Sequence, residues 1–307
     1  MTTNSNPFTD YYLVREVLER LGKLGYRNDI KVSSPEVLKT IKERLITGPV
    51  EITLNQKNRF KAVLPARDYH EALCKRHYYG VRRVHRLCKS ADRLASVKWA
   101  TAWTLTTCYY GAYFAALELM ELTGKHIIYL SPEEADQVDQ FAKTSGYHVG
   151  AGPYLGIAQL DASNDEVEIS FGPSAKKPHE FAWEKLDELV RTVVAERADA
   201  IRHQGSLIRF LGRDASAPWS RPNEVRNLWN YTDASLFSER GDRAGKKMVE
   251  YVLAQSEAIK WGVGKHLHQC EEDHASSISY IRASLFNAVS QVADRVLPEN
   301  LVSSKAA

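Results

Sequence analysis

The sequence is poor in cysteine and has no CxxC pair, since Cys74, Cys88, Cys108 and Cys270 are scattered along 307 residues. That spacing disfavours a disulfide framework or a zinc ribbon and suits reduced thiols, so a cytoplasmic location is expected. A basic stretch followed by an apolar core is also missing at the start, where MTTNSNPFTDYY is polar, and no secretory leader is expected. GxxxxGK[ST], a strand-borne GxGxxG, HExxH and GxSxG are all absent. Their absence argues against an NTPase, a nucleotide-dependent dehydrogenase or an ordinary hydrolase, and no cofactor is expected.

Long uncharged runs are scarce as well. The one candidate, residues 99–117 (WATAWTLTTCYYGAYFAAL), holds four threonines, a cysteine and a glycine and lacks the Leu/Ile/Val density of a lipid-facing span. It predicts a helix buried on all sides, ending near Gly124, and no membrane partner. With 44% hydrophobic and 26% charged residues, the chain has the balance of a globular protein.

What is present is mostly helical periodicity. Val14, Val17, Leu18, Leu21 and Leu24 share a helix face over 10–24, and Ser33, Ser34 and Pro35 look like the cap and first turn of a second helix. Residues 50–54 and 59–64 are β-biased across a polar turn and predict a hairpin; 154–160 and 167–171, across 162–165, predict another. Helices are expected from Tyr78 onward, at 132–143, 181–203 and 238–268, and in a last segment where Ile278, Ile281, Leu285, Val289, Val292 and Val296 recur at helical spacing.

Net charge is only +3, yet residues 75–98 carry eight Lys/Arg against one acid, Asp92, which makes the segment +7 and the remainder −4. Val81, Val84, Cys88, Ala91 and Ala95 form its apolar stripe, and Arg82, Arg86, Lys89 and Arg93 a basic one beside it. Tyr69, Tyr78, Tyr79, His70, His77 and His85 lie among these cations, where they could stack on bases or donate to phosphates. RNA is the partner this pattern suggests; the alternative is a face that docks an acidic protein partner. A looser arginine group runs through Arg191, Arg197, Arg202, Arg209, Arg213, Arg221 and Arg226. His266, Cys270 and His274 fall at i, i+4 and i+8, but one straight helix rarely gives three ligands to one ion, so no metal site is assigned.

Ala102, Tyr109, Tyr110, Phe114, Ala115, Ala116, Leu117 and a terminating Gly124, taken with the run Arg226, Asn227, Leu228, Trp229, Asn230, Tyr231 and the following Phe237 and Ser238, resemble the HEPN superfamily of helical RNases and RNA-associated proteins. The likeness covers roughly residues 90–268. In active members an Arg, often followed by a polar residue, precedes a His by about one and a half helical turns, and two protomers meet at a cleft. Here the pattern puts Arg226 at the Arg, Asn227 at the polar follower and Tyr231 at the His. A phenol, with a reference pKa of about 10, is a poor base at neutral pH, so Arg226, Asn227 and Tyr231 are expected to hold phosphate without cleaving it. Arg197 and His203 match the spacing as an alternative catalytic pair, at a frequency that chance alone supplies.

The expected architecture is mainly α: a HEPN-like helical bundle over 67–300, with an insertion at about 124–222 carrying a β-hairpin, and a small N-terminal α/β piece over 1–66. The resemblance implies an RNA-associated homodimer of a toxin–antitoxin or phage-defence kind. Its alternatives are a metal-independent endoribonuclease and a structural subunit docking an acidic partner.

Overall fold

Alternation at 51–65 gives each of two strands one apolar face. Ile52 and Leu54 on β1 (Glu51–Gln56) and Phe60, Ala62 and Leu64 on β2 (Arg59–Pro65) are buried, and the residues between them are more exposed. Asn58 turns the chain between them at φ 58°, a left-handed conformation that asparagine tolerates. In this computed structural model, residues 11–26, 36, 38–48, 50–143, 146–196, 201–212, 219–265 and 270–297 are described. The remaining strands are β3 (Lys125–Leu130), β4 (Ala142–Lys143), β5 (Gly152–Asp161) and β6 (Glu166–Pro173). The helices are α1 (Tyr11–Lys23), α2 (Ile41–Thr47), α3 (Ala66–Ala95), α4 (Thr101–Leu122), α5 (Pro132–Phe141), α6 (Pro178–Glu196), α7 (Ile201–Phe210), α8 (Pro222–Asn227), α9 (Glu239–Ala244), α10 (Lys246–Leu253), α11 (Gln255–Gly264) and α12 (Glu271–Val296). The described chain is therefore mostly helical.

Both expected hairpins form, but they belong to one sheet of order β3-β5-β6-β2-β1-β4. Five strands are antiparallel and β4 adds a two-residue parallel bridge to β1. A two-stranded hairpin is not stable by itself in water. Pairing of Phe60 with Phe171 and Leu64 with Val167 joins the first hairpin to the second. The strands of 51–65 thus share one sheet with those of 125–173. The chain forms two compact units, one of residues 1–16, 80–117 and 179–291 and the other of residues 17–79, 118–178 and 292–307.

The sheet-bearing unit is organised by caps and ion pairs. Thr40 and Glu43 make a reciprocal capping box on α2, whose start at Ile41 lies beyond the expected cap at 33–35, outside the described residues. Arg44 reaches Asp68 and Glu71, Lys75 reaches Glu43, and Arg76 reaches Glu121. In the helical unit a buried arginine replaces apolar packing at one point: Arg282 on α12 donates to the carbonyls of Val252 and Cys88 and pairs with Asp92 at 2.6 Å. The 238–268 segment is three helices rather than one. Gly241 and Gly245 lie so close to their neighbours that a Cβ would meet Leu236 O at 1.8 Å and Thr101 Cγ2 at 2.2 Å. Among the described residues no helix is long and apolar enough to cross a membrane.

Candidate functional site

The site builds outward from α8. Pro222 and Val225 are buried, and the helix runs into a π turn at Leu228–Thr232 in which the Asp233 N–H reaches back five residues to Leu228 O at 3.0 Å. Trp229 is buried, and Asn230 accepts from Thr106 of α4 at 2.6 Å, so the turn is fixed from both sides. Its consequence is geometric. Residues five apart diverge on an α-helix but nearly eclipse across a wider π turn, and the Arg226 guanidinium meets the Tyr231 hydroxyl at 3.4 Å. Tyr231 is 75% exposed.

Arg226 is surrounded by phenol rings, its guanidinium carbon lying 5.1 Å from the centroid of Tyr109, 5.8 Å from Tyr110 and 5.6 Å from Tyr231. Its Nε is buried without a hydrogen-bonding partner, and among the described residues no carboxylate pairs with it. A fixed cation with unused N–H capacity and no counter-charge is what an anion site requires.

Sequence reasoning missed a histidine at this place. His179, in the first turn of α6, stacks on Tyr113 at 4.1 Å between centroids, and its Nδ1 lies 2.8 Å from the Tyr109 hydroxyl. Trp183 donates its Nε1–H to the same hydroxyl at 3.3 Å. Because an indole nitrogen only donates, Nδ1 is the one acceptor among these two partners for the phenol hydrogen. Neutral His179 then carries its proton on Nε2, which has no partner among the described residues. Burial, and after it the Arg226 cation, holds the imidazole below its ordinary range, so it is neutral at neutral pH. Burial pushes the Tyr109 phenol up, against the opposing effect of the Trp183 and Arg226 N–H groups.

Asn227 does not join this cluster. One residue further along α8 it faces away, exposed, and lines a cavity of about 380 Å³ with Glu224, Glu271 and His274. Two carboxylates there make a poor setting for phosphate. Of the alternative pair, Arg197 lies outside the described residues; His203 falls in α7, but its side chain lies outside them too. Of the possible metal face, His266 is likewise outside, and His274 accepts from the Ser220 N–H at 3.4 Å.

The basic helix splits into two kinds of residue. Tyr69, His70, His77 and Tyr78 are buried, and Lys75 and Arg76 are ion-paired, so none of these offers an open face for a polyanion. Arg86, Lys89 and Arg93 are exposed, and no carboxylate among the described residues pairs with them; Arg82 is half-buried and already engaged. Arg83, adjoining this row, lies 3.7 Å above the Phe114 ring, Phe114 stacks on Tyr110, and Tyr110 lies beneath Arg226. The row and the caged arginine are thus ends of one cation and aromatic line within the helical unit. No family model, curated protein or solved structure matches the chain.

Proposed function

We propose that this chain is an RNA-associated protein of HEPN type that holds phosphate at Arg226, Tyr231 and His179 without cleaving the strand. The observation that carries the reading is the caged Arg226, which has, among the described residues, an unpartnered Nε and no carboxylate, with a phenol hydroxyl and a neutral imidazole N–H at hand. All of these donate, and none is a free base: Tyr231 is a phenol and the lone pair of His179 is taken up by Tyr109. Arg86, Lys89 and Arg93 supply sequence-independent attraction for a polyanion.

The test is retention of labelled RNA by the purified protein, with chelator present, at about 50 and 200 mM salt. Retention without cleavage, falling steeply with salt, is expected. Arg86→Ala/Lys89→Ala/Arg93→Ala should flatten the logarithmic salt dependence by about 0.7 for each single-strand phosphate that is no longer neutralised. Arg226→Ala should weaken retention at both salts. No retention at either salt would sink the reading and leave the basic row as a docking face for an acidic protein.

His179 favours a second reading, a metal-independent endoribonuclease. Cleavage would need the other tautomer, with the proton on Nδ1 facing Tyr109 and Nε2 open to take the 2′-hydroxyl hydrogen. Products ending in 2′,3′-cyclic phosphate, lost in His179→Ala, would establish it.

A further inference from the structure

Helix α4 does not bury every face. Trp103 is 58% exposed, and Thr107, Tyr110 and Phe114 are half-buried at i, i+4, i+7 and i+11, so one stripe of the expected core helix stays open. The rings rise along the axis by about 10 Å from Trp103 to Tyr110 and about 6 Å from Tyr110 to Phe114. Phe237 packs edge-on against Trp103 at 5.8 Å and is itself exposed. Apolar rings left in water need a reason, and here cations lie against rings of the stripe, Arg226 over Tyr110 and Arg83 over Phe114, as Lys98 does over the adjacent exposed Trp99.

We infer that this stripe is a stacking platform for unpaired bases, so that the chain takes single-stranded RNA rather than duplex. The inference rests on the RNA reading above and adds the substrate class to it. Charge complementarity selects the occupant: rings interleaved with arginines, continuous with the exposed Arg86, Lys89 and Arg93, suit a strand that offers flat bases and phosphates together. A duplex keeps its bases stacked inside and presents mostly backbone and groove edges. An acidic protein would meet the cations but would leave the row of rings without a matching partner.

The experiment is fluorescence anisotropy with three probes: a single-stranded oligoribonucleotide, the same sequence as a duplex, and an abasic strand of equal length. It is run on the full chain and on Trp103→Ala and Trp103→Phe, with intrinsic tryptophan emission followed in parallel. The single strand should bind about ten-fold more tightly than the abasic one, and Trp103→Ala should remove about that factor, as expected for one lost base stack. Trp103→Phe should restore much of it, and RNA should quench emission in the native chain more than in Trp103→Ala. Equal affinity for the intact and abasic strands, or unchanged affinity in Trp103→Ala, would overturn the platform while leaving phosphate binding in place. Binding of no probe would overturn both. Sedimentation gives the remaining outcome: a native dimer that Trp103→Ala dissociates, with RNA affinity intact, would assign the stripe to a second copy instead.

Discussion

Among the described residues two hydrogen-bonded tyrosine–histidine pairs have nearly equal geometry, and they differ in burial and in the charges beside them. In the sheet-bearing unit the Tyr69 hydroxyl lies 2.9 Å from His126 Nε2, with both residues buried; in the helical unit Tyr109 lies 2.8 Å from His179 Nδ1, with His179 half-buried. The buried pair has charged neighbours, Arg76 and Glu121, but these pair directly with each other at 2.9 Å, and both line a cavity of about 210 Å³ together with His126. The open pair faces Arg226, which has no carboxylate partner among the described residues. Hydrogen-bond geometry alone therefore does not make a site. On the proposed reading, an unneutralised cation and a route to solvent do.

The largest effect that separates the pairs is acid sensitivity. Burial, with a smaller contribution from Arg76, pulls the His126 pKa down to about 3, whereas an unfolded histidine titrates near 6.5. Between those values the unfolded chain binds a proton that the folded chain refuses, so stability rises with pH across the window and is lost as pH falls through it. The slope for one such group is about 1.4 kcal/mol per pH unit. Urea unfolding at a series of pH values should show His126→Gln losing that share of the slope, whatever the carboxylates contribute. An identical slope in the variant would mean that His126 is protonated in the fold.

Removing the hydroxyls sharpens the contrast at smaller scale. Tyr69→Phe strands His126 Nε2 in the core, and a buried unsatisfied polar group costs about 1–3 kcal/mol. Tyr109→Phe leaves half-buried His179 nearer to water, but it also strands the buried Trp183 indole N–H, which donates to the same hydroxyl, so its cost should likewise reach about 1–3 kcal/mol in chemical denaturation. Made in a Trp183→Phe background, Tyr109→Phe should cost only roughly 0.5–1.5 kcal/mol, the net worth of an ordinary hydrogen bond, and a loss there equal to that of Tyr69→Phe would show that the second pair is sealed as well.

Much of the fold was readable because it rests on local pattern. The alternation expected at 50–54, 59–64, 154–160 and 167–171 falls within the strands apart from Val50, the stripe from Ile278 to Val296 is buried, and of the basic stripe Arg86, Lys89 and Arg93 are exposed while Arg82 is half-buried. Strand β3 was not readable, since its inward-facing positions begin with a histidine, and His126 looks polar until Tyr69 is known to meet it. The cations of 75–76 resembled those of 86–93 because their acids, Glu43 and Glu121, lie 32 and 45 residues away. At the site, the pattern Arg226 to Tyr231 was visible, but the π turn that closes it was not, nor was the divergence of Asn227. His179 follows two lysines and a proline in a polar stretch and meets Tyr109 from 70 residues away, so nothing local marks it.

The smallest effect is also the most specific to the open pair. Two causes hold the His179 pKa down, burial first and the Arg226 cation second, and only the second is removable at the surface. Arg226→Ala should therefore raise the His179 pKa without returning it fully to the ordinary value, because desolvation by the Tyr113 and Tyr109 rings persists. His126 faces Arg76 rather than Arg226, so its titration should not move. Histidine ring resonances followed through a pH series in native and variant protein give both readings from one sample. A rise at His179 alone places the guanidinium electrostatically on the imidazole, as a shared anion site requires. No change would separate Arg226 from His179, and phosphate held at Arg226 would then have to depend on Tyr231 and the phenol cage alone.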